Sequence, residues 1–281
     1  MTTEPLTIAG GVRRRLAPAA MAWMAVWLVS PVGTSVSAPV PAGVEREIQR
    51  TGALKVCVVA DYAGVTMRDP RTGRLSGLDI DLSRRLAKRL GATAEYVETT
   101  FLRFHEDLDA RRCHIAMMGI WVSENRRQRV AFSAPYVTSG AHVAVARANG
   151  RLRDWRDLDR PTTHLAVVDT PDLRRRADRI LPGATKLPAT DSEPMRELIA
   201  GRADAVIVDS AMANTLRRNT SWARIISPPK PVLLTEIAYA VAKGETAWLE
   251  QVNAFVRDIK ADGSLREGLA HHELNGLGVP P

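Results

Sequence analysis

The chain has 281 residues, of which 45% are hydrophobic, 25% charged and 5% aromatic. That is apolar enough for two packed domains and excludes disorder as the main state; two cysteines, 19 glycines and 17 prolines exclude a disulfide scaffold, a four-cysteine zinc site and a fibrous chain. The formal net charge of +8 points to an acidic partner only if it outlasts the N-terminal segment.

That segment has the layout of a secretory signal. Arg13, Arg14 and Arg15 precede an uncharged apolar run over 16–29, and small residues dominate 30–43. The run is short for a membrane-spanning helix, which needs about 20 residues. Residues 1–42 are therefore expected to be a signal peptide cut between Ser37 and Ala42, and the mature chain to be exported. Three arginines and Glu4 leave with it, so 36 basic and 30 acidic residues remain, a net +6.

Residues 54–59 form an apolar run that ends at Asp61 and Tyr62, the pattern of a buried strand. Asp79 is placed to cap a helix with Leu82, Leu86, Ala87 and Leu90 at helical spacing, and Gly91 stops it. A second strand over 94–99, a short helix over 105–111 and a third strand over 113–120, breaking at Gly119, complete a βαβαβ unit. The same order returns as strand 165–168, helix 173–181, strand 186–190, helix 194–200 opened by Asp191 or Ser192, and strand 205–208. Asp107, Leu108, Ala110, Arg112 and Gly119 even recur at the offsets of Glu197, Leu198, Ala200, Arg202 and Asp209. Such alternation predicts an α/β protein with a parallel sheet in each of two lobes.

Arg174, Arg175, Arg176 and Arg179 are interrupted by Asp172 and Asp178 and lack interleaved aromatics, so they are expected to form a solvated helix face, and no nucleic-acid partner is expected. Residues 227–233, with Pro228, Pro229 and Pro231, make an extended connector. A strand over 237–242 precedes a helix over 246–260 that sets Trp248, Leu249, Val252, Phe255, Val256 and Ile259 on one face. Without a third full unit, this tail packs back on the first lobe. Lobe 1 then comprises 48–145 with 235–281 and lobe 2 comprises 148–232, joined by a hinge of two crossing strands.

Export permits disulfides, and right-handed crossovers put the first and third strands of a unit side by side. Cys57 and Cys113 then lie on neighbouring strands, either bonded or as two separately buried thiols. Ligands of open α/β sheets bind beyond the carboxyl ends of the strands. This selects Asp61 and Tyr62, Gly119 to Ser123, Asp169 with Thr170, and Asp209, gathered on one hinged cleft. There is no nucleophile elbow, P-loop or His-x-x-x-His pair. Accordingly no catalytic residue, metal ligand or cofactor is assigned; His271 and His272 are expected to be an exposed pair, and His105 with Glu106 part of a surface helix.

Gly77-Leu78-Asp79-Ile80-Asp81-Leu82, Ser123 with Arg126, Phe132-Ser133-Ala134-Pro135-Tyr136, and Asp204 to Ser210 together resemble the periplasmic solute-binding proteins of the polar-amino-acid type, family 3, over nearly all of the mature chain. The resemblance implies a two-lobed periplasmic-binding-protein fold of type II. It also implies a monomeric, non-enzymatic, periplasmic substrate-binding component of an ABC-type transporter, with a membrane permease as partner. The solute implied is small and amino-acid-like, or another carboxylate or amine. Arg126 would grip a carboxylate with its planar fork and Asp209 an amino group. Tyr62 and Trp121 would be walls, and Asp61, Gly119, Ser123 and Thr170 would complete the ligand-binding set.

The chain departs from that family pattern in three places. Val65 stands where an aromatic is expected, and Trp121 replaces a small hydroxyl residue. Thr170-Pro171-Asp172 replaces a Gly-Thr anion cradle at a helix N-terminus; Pro171 supplies no N–H and Asp172 would repel a carboxylate. These departures favour something other than an ordinary polar amino acid, a cation-bearing ligand included. Two further resemblances set alternatives. Leu158-Asp159-Arg160-Pro161 resembles the cyclohexadienyl dehydratases, which dehydrate prephenate or arogenate, but their glutamate acid corresponds to Arg174, which is no useful proton donor, leaving Asp172 or Asp169 as substitutes. Leu54-Lys55-Val56-Cys57 with Cys113 resembles accessory proteins of periplasmic quinoprotein dehydrogenases. A periplasmic dehydrogenase would then be the partner, with Trp155, Trp222 and Trp248 as candidates for a docking surface against the ordinary role of core or hinge packing.

Overall fold

The computed structural model describes residues 43–189, 194–274 and 276–281. The signal-like segment, and Asp191 and Ser192 as openers of a helix, lie outside the described residues. No described helix is long and apolar enough to cross a membrane.

Helix α1 (Gly43–Thr51) buries Val44 and Ile48 and leads into β1 (Ala53–Val58). Leu54, Val56, Cys57 and Val58 are fully buried, because a parallel strand covered on both faces is apolar throughout. A small meander of β2 (Asp61–Tyr62), β3 (Thr66–Arg68) and β4 (Leu75–Ser76) precedes α2 (Leu78–Arg89). Gly77, not Asp79, is the N-cap of α2. Its φ is +127° and an added Cβ would lie 2.3 Å from the Val65 carbonyl oxygen, so only glycine fits. Asp79 is thereby the second residue of the helix and buried.

Next come β5 (Thr93–Glu98), α3 (Phe104–Asp109), β6 (Ile115–Ala116), α4 (Glu124–Arg127) and β7 (Val130–Phe132). The strand expected over 113–120 keeps only two regularly paired residues, although the His114 and Met117 N–H groups still donate to carbonyls of β1. β8 (Val137–Ser139) crosses to the second lobe, where β9 (Ala141–Ala146), α5 (Trp155–Leu158), β10 (His164–Val168), α6 (Pro171–Ile180) and β11 (Thr185–Ala189) follow. α7 (Pro194–Ile199), β12 (Ala205–Asp209), α8 (Ser210–Asn219) and β13 (Ala223–Ile226) complete it. β14 (Thr235–Ile237) crosses back, and β15 (Ala240–Ala242), α9 (Thr246–Ala261) and α10 (Ser264–His271) close the first lobe. The single strand expected over 237–242 is thus divided between the hinge and the first sheet.

The two sheets have the orders β5-β1-β6-β15-β7 and β11-β10-β12-β9-β13. In each, three parallel strands are followed by one antiparallel strand, β15 beside β6 and β9 beside β12. That fourth strand is supplied by chain that has just crossed the hinge. The lobe boundary moves accordingly: residues 141–145, expected in lobe 1, pair inside the second sheet, Ala141 with Asp209 and Val145 with Ala205. β8 and β14 pair antiparallel as the two crossing strands, and Thr138 also bridges Gly278, laying the C-terminal tail beside the hinge.

The internal repeat extends to its chemistry. Arg112 pairs with Asp107 in the first lobe and Arg202 with Glu197 in the second, and each arginine N–H donates to its partner's carbonyl at 2.9 Å. Cys57 and Cys113 are disulfide-bonded with their Cα atoms 5.5 Å apart. Trp248 is buried on α9 and donates from Nε1 to the His114 carbonyl at 2.9 Å, and Trp155 packs on the core of lobe 2. Of the three candidate docking tryptophans only Trp222 reaches solvent substantially, at 37% exposure.

Candidate functional site

The residues that follow β6, β10 and β12 meet between the lobes around two adjoining cavities. The inner cavity, about 250 Å³, is lined by Gly119, Arg176, Asp209 and Thr235 among others. The outer one, about 240 Å³, includes Phe104, His105, Arg126, Thr170 and Asp172. Trp121 and Leu173 line both. The indole is fixed at its base by a bridge from Trp121 to Ile237 and by the Val122 N–H donating to the Glu236 carbonyl at 2.8 Å.

Two guanidinium groups lie against the Trp121 ring. Arg126 lies on α4, whose N-cap Ser123 accepts from the Arg126 N–H at 3.3 Å. Its guanidinium carbon sits 4.6 Å from the Trp121 ring centroid and its Nη1 donates to the Trp121 carbonyl at 3.0 Å. Burial lowers the Arg126 pKa to about 10, with Asp172 opposing and Arg176 adding to the shift, so the group stays charged at neutral pH. Arg176 reaches in from α6 of the other lobe. Its guanidinium carbon lies 5.1 Å from the same ring and its Nη1 donates to Thr235 Oγ1 at 2.6 Å. Burial lowers its pKa too, against the pull of Asp209 and Asp172. Among the described residues, neither arginine has a carboxylate within 4 Å.

The cleft's carboxylates, by contrast, have donors. Asp209 caps α8 by accepting from the Met212 N–H at 2.8 Å, and it accepts the Tyr62 hydroxyl from the opposite lobe. Burial, then Asp209, raises the Tyr62 pKa well above its ordinary value, so this phenol remains a donor. Asp172 pairs with Arg175 at 3.6 Å. Behind the cleft, Asp79 accepts from the Gly119 N–H at 2.8 Å, the Tyr136 hydroxyl at 2.9 Å and the Tyr239 hydroxyl at 3.4 Å. Burial lifts the Asp79 pKa to about 7 against these three donors. Gly119 has φ +69°, and a Cβ there would meet Tyr62 Cε1 at 2.7 Å.

The structure therefore gathers Gly119, Trp121, Arg126, Thr170 and Asp209 on these cavities, and Tyr62, which lines neither, reaches Asp209 through its hydroxyl. Ser123 serves as a helix cap, and Thr170 caps α6 by accepting from Leu173, with Pro171 in the first turn. Asp61 is exposed on β2 and lines neither of these cavities. Arg174 is exposed and pairs with Asp169 at 2.6 Å. The expected solvated face of α6 holds for Arg174, Arg175 and Arg179 but not for Arg176, which is half-buried in the cleft. Its signal was the helical stripe Leu173, Arg176, Ala177 and Ile180, three of whose members are apolar. At the mouth of the outer cavity, Arg129 Nη1 lies 2.7 Å from His105 Nε2, and burial together with Arg129 lowers the His105 pKa. Elsewhere, Asp81, His271 and His272 bring ligand-type atoms within 4.8 Å of one another, but Asp81 already pairs with Arg84 and His272.

Residues 54–272 match the family model of bacterial extracellular solute-binding proteins, family 3. The chain is 26% identical over 226 residues to a cyclohexadienyl dehydratase of Pseudomonas aeruginosa, spanning 80% of this chain and 84% of that one. It is also 26% identical over 253 residues to the L-cystine-binding protein TcyJ of Escherichia coli, spanning 88% and 92%. Among solved structures it is similar to the ancestral amino acid-binding protein AncCDT-1, described as a precursor of cyclohexadienyl dehydratase, with a TM-score of 0.71, 28% identity, and coverage of 82% of this chain and 99% of that one. With two sheets of the same order, crossing strands between them and a match over most of its length, the chain belongs to the bacterial extracellular solute-binding proteins, family 3.

Proposed function

We propose that this protein is the periplasmic substrate-binding component of an ABC-type transporter, closing two lobes on a small carboxylate-bearing solute and delivering it to a membrane permease. The observation that carries this reading is the Arg126 guanidinium, half-buried in the cleft, whose one direct hydrogen-bond partner among the described residues is a neutral carbonyl. A desolvated cation without a carboxylate is poorly compensated, and a bound carboxylate would supply the missing partner. Asp209 offers a second polar anchor for a solute amino group, Gly119 and Thr170 shape the cleft, and Tyr62 and Trp121 wall it. The name of the Escherichia coli relative, a cystine-binding protein, agrees with an amino-acid-like solute.

A non-catalytic role fits this cleft better than the dehydratase reading suggested by the Pseudomonas relative. Arg174 stands where a glutamate acid would be required and is paired with Asp169 at the surface. Asp209 caps α8 and accepts the Tyr62 hydroxyl, so its oxygens are engaged in contacts that hold the fold and the cleft. Partnership with a dehydrogenase rests on the Leu54 to Cys57 and Cys113 resemblance alone, with which the disulfide within lobe 1 is compatible.

The test is a thermal-shift screen of the exported protein, unfolded and refolded to strip carried ligand, against amino acids, organic acids, polyamines and prephenate. A ligand at 100 times its Kd adds about 2.7 kcal/mol of stability. A hit whose stabilisation disappears in Arg126→Ala, with prephenate consumed no faster than in buffer, is the expected result. Silence across the screen would overturn the reading.

A further inference from the structure

Resting on that binding-protein reading, we infer that the solute is a short dicarboxylate, held at one end by Arg126 of lobe 1 and at the other by Arg176 of lobe 2, both of which lie against the Trp121 ring. The two guanidinium carbons lie 4.6 and 5.1 Å from the same indole centroid, so they are at most 9.7 Å apart, the sum of those distances. One lines the inner cavity and one the outer. Two anionic groups joined by a short chain match this arrangement, one at each guanidinium.

The charge pattern of the cleft favours a second carboxylate on the solute over a cationic side chain. Its carboxylates are already served: Asp209 by the Tyr62 hydroxyl and the Met212 N–H, Asp172 by Arg175. Its two central cations are not: Arg126 donates to the Trp121 carbonyl and Arg176 to the Thr235 hydroxyl, both neutral acceptors. Thr235 Oγ1 in turn donates to the Leu233 carbonyl, so it is free to accept and holds the guanidinium from the hinge. Each guanidinium has five N–H donors in a planar fork suited to bidentate pairing with a carboxylate. An indole face flanked by two cations gains from cation–π attraction but does not neutralise either charge. Arg176 also answers the loss of backbone donors at the start of α6, where Pro171 has no N–H: the same helix provides its anion-binding group one turn further on, from a side chain.

Calorimetric titration of the stripped, exported protein tests this with matched pairs: succinate against succinamate, L-aspartate against L-asparagine, and L-glutamate against L-glutamine, together with glutarate, L-arginine and inorganic phosphate. The expected result is a diacid bound at least about tenfold more tightly than its monoamide, with Arg176→Gln costing the diacid at least about tenfold more than it costs the monoamide. The wild-type comparison alone needs no variant, so it stands even if Arg176→Gln folds poorly. Equal binding of diacid and monoamide, preference for L-arginine or phosphate, or discrimination that survives Arg176→Gln would overturn the inference while leaving solute binding intact. Absence of binding to every probe would overturn the inference and count against the binding reading as well.

Discussion

Asp79 is a buried carboxyl ringed by the Gly119 N–H and the hydroxyls of Tyr136 and Tyr239. Its pKa of about 7 lies above the unfolded value, so between about pH 4 and 7 the folded state binds more protons than the unfolded state. Its contribution to stability is therefore fully present at low pH and is lost as pH rises to about 7. His105, His114 and His142, whose pKa values are lowered first by burial, act in the opposite direction as pH rises toward their unfolded value. A difference measurement separates the two: the stability of wild type minus that of Asp79→Asn should fall by a few kcal/mol, order of magnitude, between pH 5 and pH 8. A constant difference in urea midpoints across that range would refute this. A second residue-scale prediction concerns Gly119, whose φ of +69° and 2.7 Å approach to Tyr62 leave no room for a methyl group. Gly119→Ala should cost about 1 kcal/mol in backbone strain alone and, by displacing the Tyr62 ring, weaken solute binding, read by titration. At this scale the cleft positions of Arg126 and Asp209 were legible because each sits in a short contiguous motif. Arg176 was not, because a helix position between three exposed arginines declares its direction only once the partner lobe is in place. Asp61 was selected by the same strand-end rule as Tyr62, but the two are neighbours on a strand and point to opposite faces.

The strongest local signals became elements for identifiable reasons. β1 and β10 were visible as apolar runs because both faces are covered, and α9 because its buried stripe repeats with helical spacing. β11 was recoverable despite Pro188 because it is an edge strand, where a missing N–H costs no interior ladder bond. β9 was legible as a strand but not as a member of lobe 2, since its alternation is the same whichever sheet receives it and only long-range pairing decides. Likewise the cap of α2 was misplaced by two residues, because Asp79 has the chemistry of a cap while Gly77 has the required backbone. The disulfide joins β1 to the segment entering β6 across a separation of 56 residues. Closing a loop of that size removes unfolded-state entropy equivalent to about 4 kcal/mol at 25 °C. The double variant Cys57→Ala, Cys113→Ala should therefore unfold at clearly lower urea than the oxidised wild type, and its stability should be insensitive to added reductant. Unchanged urea midpoints would mean that the packing of these strands, not the cross-link, sets their stability.

For the whole molecule the decisive contacts are those that cross between lobes away from the covalent hinge. β8 and β14 carry the chain across, the C-terminal tail bridges to Thr138, and Arg218 on α8 pairs with Glu273 from the first-lobe side at 2.9 Å. These lie at the hinge and its flank. The Tyr62 hydroxyl on Asp209 is different, because it spans the cleft itself and must be broken for the lobes to part. A hydrogen bond to a charged acceptor contributes about 1.5–3 kcal/mol, equivalent to about a 10- to 100-fold change in the ratio of closed to open forms. Tyr62→Phe keeps the ring and its edge contact with Phe101 while removing only the donor. The ligand-free variant should therefore shift toward the open form, with a larger radius of gyration in small-angle scattering. Saturating solute should restore the wild-type value, at the cost of weaker apparent affinity, since only the closed fraction is competent for tight binding. If the ligand-free radius is the same in wild type and Tyr62→Phe, this contact does not govern closure. The balance would then rest with the hinge strands and the tail beside them.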